Sequence, residues 1–502
     1  MKKIVPLVLT ILIGLLNTGL ASGVPKDTLV IAQATEPTTL DPQKRGEGHS
    51  RNVCPNIFDT LLHRSTDLKI EPLLATFYRV INDTTWEFKL RKGVKFHNGE
   101  DFNAASVKFT LDRMVYTKNE LKQIFMQEVL DRVDIVDDYT VRITTRRPRP
   151  NLDAAFCVVG EMLPPKYIQE RGPTYFATNP VGTGPYKFVR WVKDDHLLLQ
   201  ANENYWRGGP KIKKVIFRPI PDAAQQVAGL QTQELDIIVN VPPHLERLID
   251  RTGHSLVSKV PGLRVIYMAF DTTKSGPVAD RRVRRAIAQA IDLNSVIKNV
   301  LGGHGVKVGS PLPPIRPGNS PKIKPYPYNP EQAKKLLAEA GYPNGFDFVL
   351  HSPTNRFPYD KEVAEAAVEY LRKVGINASL RTYGFGTYMT MIYRHNVYPA
   401  YIFASEDPTL DAGNSLFQLL RSGQVYSNFS NPELDALIDE VNTTMNKKKR
   451  QKIYSDAAKL IQEEAPWAFA YQQIDIYGEN KRVKWKPRPD ELLFVFDMSF
   501  KK

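Results

Sequence analysis

From Thr28 to about Phe270 the chain alternates apolar and polar residues mostly in twos, beginning with TLVIAQA. In WEFKLRKGVKF, Trp86, Phe88 and Leu90 alternate with Glu87, Lys89 and Arg91, the mark of a half-buried strand. Asn98-Gly99 follows as a turn signal, and NAASVKFTLDRM then predicts a helix with Val107, Leu111 and Met114 on one face. Further strands are predicted at YTVRIT, YKFVRW, HLLLQA, KKVIFRPI, LDIIVN and RVIYMAF.

After Phe270 the period lengthens and helices with readable caps separate short apolar strands. In NPEQAKKLLAEAGY, Asn329 can cap, Pro330 suits the first helical position, and Ala333, Leu336, Leu337 and Ala340 form a stripe that Gly341 ends. NPELDALIDEV repeats this grammar: Asn431 caps, Pro432 starts, and Leu434, Leu437, Ile438 and Val441 face inward. DRRVRRAIAQAI, DKEVAEAAVEYLRKVG and KRQKIYSDAAKLIQEEA also predict helices, alternating with the strands FDFVLHS, NASLRTY and AYIFAS. The fold class is therefore α/β. The Pro-rich stretch from Ser310 to Pro330 is expected to be an ordered loop within a domain.

The N-terminus, MKKIVPLVLTILIGLLNTGLASG, has two lysines, an apolar run from Ile4 to Leu16 and then small residues, which predicts a secretory signal peptide cleaved after Ala21. The run is shorter than the ~20 residues of a spanning helix, and no cysteine follows to carry a lipid. At 502 residues the chain exceeds the ~250–300 that one core supports, so two or three domains are expected. The formal charge of +14 would suit acidic solutes or nucleic acid, and export argues against nucleic acid. NKKKRQK, Asn446–Lys452, opens a helical pattern and is expected to be a solvated face. An oxidising compartment makes a disulfide between Cys54 and Cys157 possible, with two buried thiols as the alternative.

Catalytic signatures are absent: there is no HExxH, GxSxG, phosphate loop, CxxC or GxGxxG after a strand. GTG at Gly182–Gly184 precedes no helix and is expected to be a tight turn. No two of the nine histidines stand at helical i,i+4 spacing, so no metal site and no cofactor are expected. An enzyme is not expected. An exported hydrolase or a chaperone would need an activated nucleophile or an exposed apolar groove, and neither is legible.

Several segments in order resemble one known family, the solute-binding proteins of peptide and nickel ABC importers (family 5). They are TEPTTLDP, the block from Ile57 to Met114, NPVGTGPYKFVRW, NENYWRGGPKIKKVIFRPI, YMAFD, RRVRRAIAQAID, YNPEQAKKLLAEAGYPNG and SNPELDALIDE. The resemblance implies a bilobal type II periplasmic-binding-protein fold with an extra third domain. Lobe I would comprise residues 22–58, 181–264 and 472–502, the extra domain 59–180, and lobe II 265–471. It further implies a periplasmic monomer that captures a peptide or peptide-like solute between its lobes and delivers it to an inner-membrane ABC permease. A nickel chelate, opine, bile acid or sugar is the alternative cargo.

A zwitterion buried between lobes needs an acid opposite its ammonium and an arginine opposite its carboxylate. In dipeptide-binding members of the family an aspartate grips the ammonium at the end of a strand, four residues before a proline. Here that position, in FASEDPTLD, is Ala404. Either Glu406, Asp407 or Asp411 takes over, or the solute lacks an ammonium there. SEDPTLDAGNSLFQLL resembles the branch with glutathione-binding members, which would make Asp411 the retained acid. Alternatively, Asp411 caps the next helix. Arg356, at a strand end, is the candidate carboxylate ligand, with a surface pair to Asp360 as the alternative. Tyr383 and Phe385 are candidate stacking residues, and Thr38 and Thr39 candidate hydroxyl donors from lobe I.

Overall fold

The computed structural model describes residues 27–45, 48–116, 124–312, 314, 323–354 and 356–501. The expected signal peptide and most of the Pro-rich loop lie outside the described residues. Two long antiparallel strands, Ser255–Phe270 and Trp467–Asn480, run side by side through the middle of an eleven-stranded sheet. At one end they carry Ala400–Ser405, then Asp347–Thr354 and Asn377–Gly384; at the other, Ile237–Ile238, Thr28–Gln33, Lys214–Pro219, His196–Ala201 and Tyr186–Val192. The register of the central pair slips between Pro261 and Val265, midway between the two ends.

The apolar run RVIYMAF explains why this strand is central. Val265, Tyr267 and Ala269 pack into one core and Ile266, Met268 and Phe270 into another, so helices cover both faces. The core beneath Leu29, Ile31, Tyr186 and Phe217 is separate, as is that of the four-stranded antiparallel sheet containing Thr85–Leu90. On that strand Trp86, Phe88 and Leu90 are buried as predicted, but Glu87 is also buried. Arg79 and Arg142 from the flanking strands cover its carboxylate at 2.7 and 3.0 Å.

The predicted caps form. Asn329 Oδ1 accepts from Gln332 N and Asn431 Oδ1 from Leu434 N, each at 3.0 Å. The lysines at the start of the helix Lys447–Glu464 are exposed. GTG is a bend pressed against the end of the helix Gly48–Ile57: a Cβ on Gly182 would lie 2.1 Å from the Ile57 carbonyl oxygen, and Gly184 N donates to that oxygen at 2.9 Å. The glycines are needed for close approach at a seam between two cores.

The possible disulfide is corrected. Cys54 packs in the core of the first lobe and Cys157 against that of the four-stranded sheet, and no bridge joins them. Burial pushes the Cys157 thiol up to about 12, far from a reactive thiolate.

Candidate functional site

The strand Ala400–Ser405 ends at the mouth of the cleft, and its last residues form one wall of a cavity of about 330 Å³. Phe403, Tyr426, Phe385, Met389 and Leu419 make its apolar surface. Ala404 pairs with Ile266 in the sheet and lines this cavity, so the position that lacks an acid does face the cleft.

Arg356 lines the same cavity. Asp360 accepts the backbone N–H groups of Arg356 and Phe357 at 2.9 and 3.1 Å, which fixes the turn that carries the arginine. The exposed guanidinium lies 5.0 Å from the Phe385 ring centroid and 5.3 Å from that of Phe357, and forms no ion pair among the described residues. It therefore retains donors for a carboxylate. Phe385, 38% exposed, shares the wall.

The three acids behave differently from one another. Glu406 Oε1 accepts from Arg51 Nη1 at 2.7 Å, and its Oε2 from Arg264 Nη2 at 2.6 Å. Burial would raise its pKa, but the two guanidiniums outweigh that and hold it down to about 2. Asp407 is buried: Oδ1 accepts from Thr409 N and Oγ1, and Oδ2 from Asn414 Nδ2 and Ser415 Oγ. Asp411 caps the helix Ala412–Leu420 through Asn414 N at 3.1 Å and pairs with Arg450 at 3.0 Å. It does not line the cavity, so of the two readings of Asp411 the geometry has the cap.

Tyr383 is also displaced from its expected place. Its hydroxyl lies 3.0 Å from His351 Nδ1 and its ring stacks on His351 and Tyr388, beneath the cleft wall. Thr39 Oγ1 accepts from Asp41 N, and its carbonyl from Ser50 Oγ, which pins its loop to the helix Gly48–Ile57. Neither Thr39 nor the exposed Thr38 lines the cavity.

Pattern reading missed Arg51, Arg264 and Glu491. Arg264 Nη1 lies 3.3 Å from Glu491 Oε1, and Asp475 on the central strand is close enough to feel both charges. Burial raises both Asp475 and Glu491 above the usual carboxylate range, helped by the charge of Glu491 on Asp475 and by that of Glu406 on Glu491. Arg51 lies on a helix with Pro55 inside it and no apolar stripe, so no period announced it. Among the described residues, no group of three or more His, Cys, Asp or Glu could hold a metal, and no helix is long and apolar enough to cross a membrane.

Two lobes joined by paired strands, with a cavity at the end of a strand beside them, define an α/β binding protein rather than a single-core domain. The model of the bacterial extracellular solute-binding proteins, family 5 (middle), matches residues 69–427, and the chain belongs to that family. Heme-binding protein A of Haemophilus influenzae is 32% identical over 495 residues, covering 91% of this chain and 89% of that protein. Glutathione-binding protein GsiB of Pectobacterium atrosepticum is 30% identical over 484 residues, covering 93% of each. The structure of HbpA2 from Haemophilus parasuis superposes with a TM-score of 0.85 at 26% identity, over 95% of this chain and 100% of that one.

Proposed function

We propose that this protein captures a small, acidic, peptide-like solute in the cleft and presents it to an ABC permease in the inner membrane. The observation that carries the reading is the cavity wall itself. Ala404 offers no acid for an ammonium, while Arg356, lining the same cavity, offers an unpaired guanidinium to a carboxylate. At about 330 Å³ the cavity is near the lower end of ligand sites, which span about 300–1,000 Å³ and suit a di- or tripeptide. The family resemblance and the name of the glutathione-binding relative support this class, glutathione being a tripeptide of suitable size, while the heme-binding relative supplies the competing cargo.

The accompanying reading is of a periplasmic monomer released from its leader after Ala21, acting by binding and lobe closure rather than catalysis. The separate cores support a division into lobe I (22–58, 181–264, 472–502), extra domain (59–180) and lobe II (265–471), except that Leu163, Ile168 and Phe176 of the extra domain pack into the core of lobe I. Native mass spectrometry of the mature protein, purified without denaturation, followed by titration with glutathione and with haem, tests the cargo. A co-purifying peptide or a saturable glutathione isotherm is expected. Saturable haem binding without glutathione binding, or a co-purifying sugar or metal chelate, overturns the peptide-like reading.

A further inference from the structure

The Glu406 carboxylate lies where lobe II meets both lobe I and the paired central strands. One oxygen binds Arg51 on the helix Gly48–Ile57, the other binds Arg264 on Ser255–Phe270, and the side chain also lines the cavity. The bond to Arg264 follows from the sheet, where the adjacent Val265 pairs with Ser405, whereas the bond to Arg51 joins separate lobes and forms only when they are together. Both oxygens of the adjacent Asp407 are taken by hydroxyl and amide donors from its own loop and from the helix Ala412–Leu420. Every carboxylate oxygen on this wall thus already has a donor.

The charged groups around Glu406 are Arg51, Arg264 and Arg356 on one side and Glu491 and Asp475 on the other. Arg264 also pairs with Glu491 at 3.3 Å, whereas the ion pair of Arg51 among the described residues is with Glu406. Part-buried guanidiniums without a counter-ion are costly, and Glu406 supplies one for two of them.

We propose that Glu406 is a tethered stand-in for a carboxylate of the solute. It neutralises Arg51 and Arg264 and bridges the lobes when the cleft is empty. A solute whose first carboxylate sits on Arg356 displaces it with a second. The site then selects diacids and disfavours a free ammonium at this end, because a cation here would face Arg51 and Arg264. This rests on the acidic, peptide-like reading above and names the charge pattern of its solute.

The test uses two probes differing at one end: N-succinyl-dialanine, with two carboxylates and no ammonium, and dialanine, with one of each. Each is titrated calorimetrically into the mature protein and into Glu406→Gln, which keeps the side chain's shape. The variant is expected to bind the succinyl probe about tenfold more tightly, with dialanine changed less than about twofold. Equal succinyl affinities overturn the proposal. Loss of dialanine binding without a succinyl gain also overturns it and makes Glu406 an ammonium clamp. Should Glu406→Gln fail to fold, Arg51→Gln replaces it, with about tenfold weaker succinyl binding expected and unchanged binding overturning the proposal. If neither probe binds the parent, it is the peptide-like reading that fails. Small-angle scattering of the solute-free proteins then decides the role of Glu406: a larger radius of gyration in the variant supports the bridge, and equal radii sink it.

Discussion

The stretch Phe403–Asp411 divides at the peptide between Glu406 and Asp407, and its two halves do opposite work. Phe403, Ala404 and Glu406 open onto the cavity, with Glu406 reaching across the cleft to Arg51. Asp407 still lines the cavity, but from it onward the carboxylates bond inward. Asp407 bonds to Thr409, Asn414 and Ser415 and Asp411 to Asn414 and Arg450, while Leu410, at φ 56°, packs with the distant Leu68 and Leu263. An acid directly before a helix has amides aimed at it and becomes a cap; one at a strand end has no such local partner and is open to distant ones. Composition alone did not separate them, but the element that follows each acid does.

That contrast can be broken by substitution, starting with the inward half. Asp411→Ala removes both a cap and the counter-ion of nearly buried Arg450, and should cost about 3 kcal/mol in denaturant unfolding. Solute affinity of the folded protein should stay within about twofold; a large affinity loss would return Asp411 to the binding site. Arg356→Ala should do the reverse. Loss of a charge-assisted hydrogen bond predicts about 10- to 100-fold weaker binding of an acidic solute by calorimetry, with the melting temperature unchanged because the guanidinium has no ion pair to lose.

The pH dependence sharpens the same line. Glu406 is held at about 2, so its stabilising contribution is complete above the ordinary glutamate range and fades as pH falls toward 2. Asp475 is raised instead, so its cost is absent below about 4 and grows as pH rises through its elevated folded value. Asp475→Asn should therefore melt at a higher temperature than the parent at pH 8, with the gap closing by about pH 4. Thermal scans across that range would refute this if the gap were constant. The smallest effect is expected from Phe385→Ala, which removes the ring under Arg356: about threefold weaker binding, since exposed cation–π contacts contribute about 0.5–1 kcal/mol. No change in affinity would remove Phe385 from the site.

Much of the architecture was written in local patterns. Alternation identified Thr85–Leu90, the Asn-Pro signals identified the helices Pro330–Glu339 and Pro432–Thr443, and the apolar run RVIYMAF identified a strand, which the structure covers on both faces. These features depend on neighbours within a few residues, which sequence lists directly. Arg356 was legible for the same reason, as a cation at the end of a predicted strand. Tyr383 looked equivalent to Phe385 from two positions away, yet its hydroxyl turns down to His351. The helix bearing Arg51 was missed because its burial comes from tertiary packing and not from an amphipathic period.

By itself, then, the sequence determined an α/β chain of more than one core, a family, and a strand end carrying acids and lacking one at Ala404. Only the tertiary structure decided what those acids face. The partners of Glu406 lie 355 and 142 residues away, and no local rule reaches that far. Charge pairing is set by distance in space: the pairing of Val265 with Ser405 brings Arg264 to the carboxylate, and the packing of the helix Gly48–Ile57 against this strand end brings Arg51.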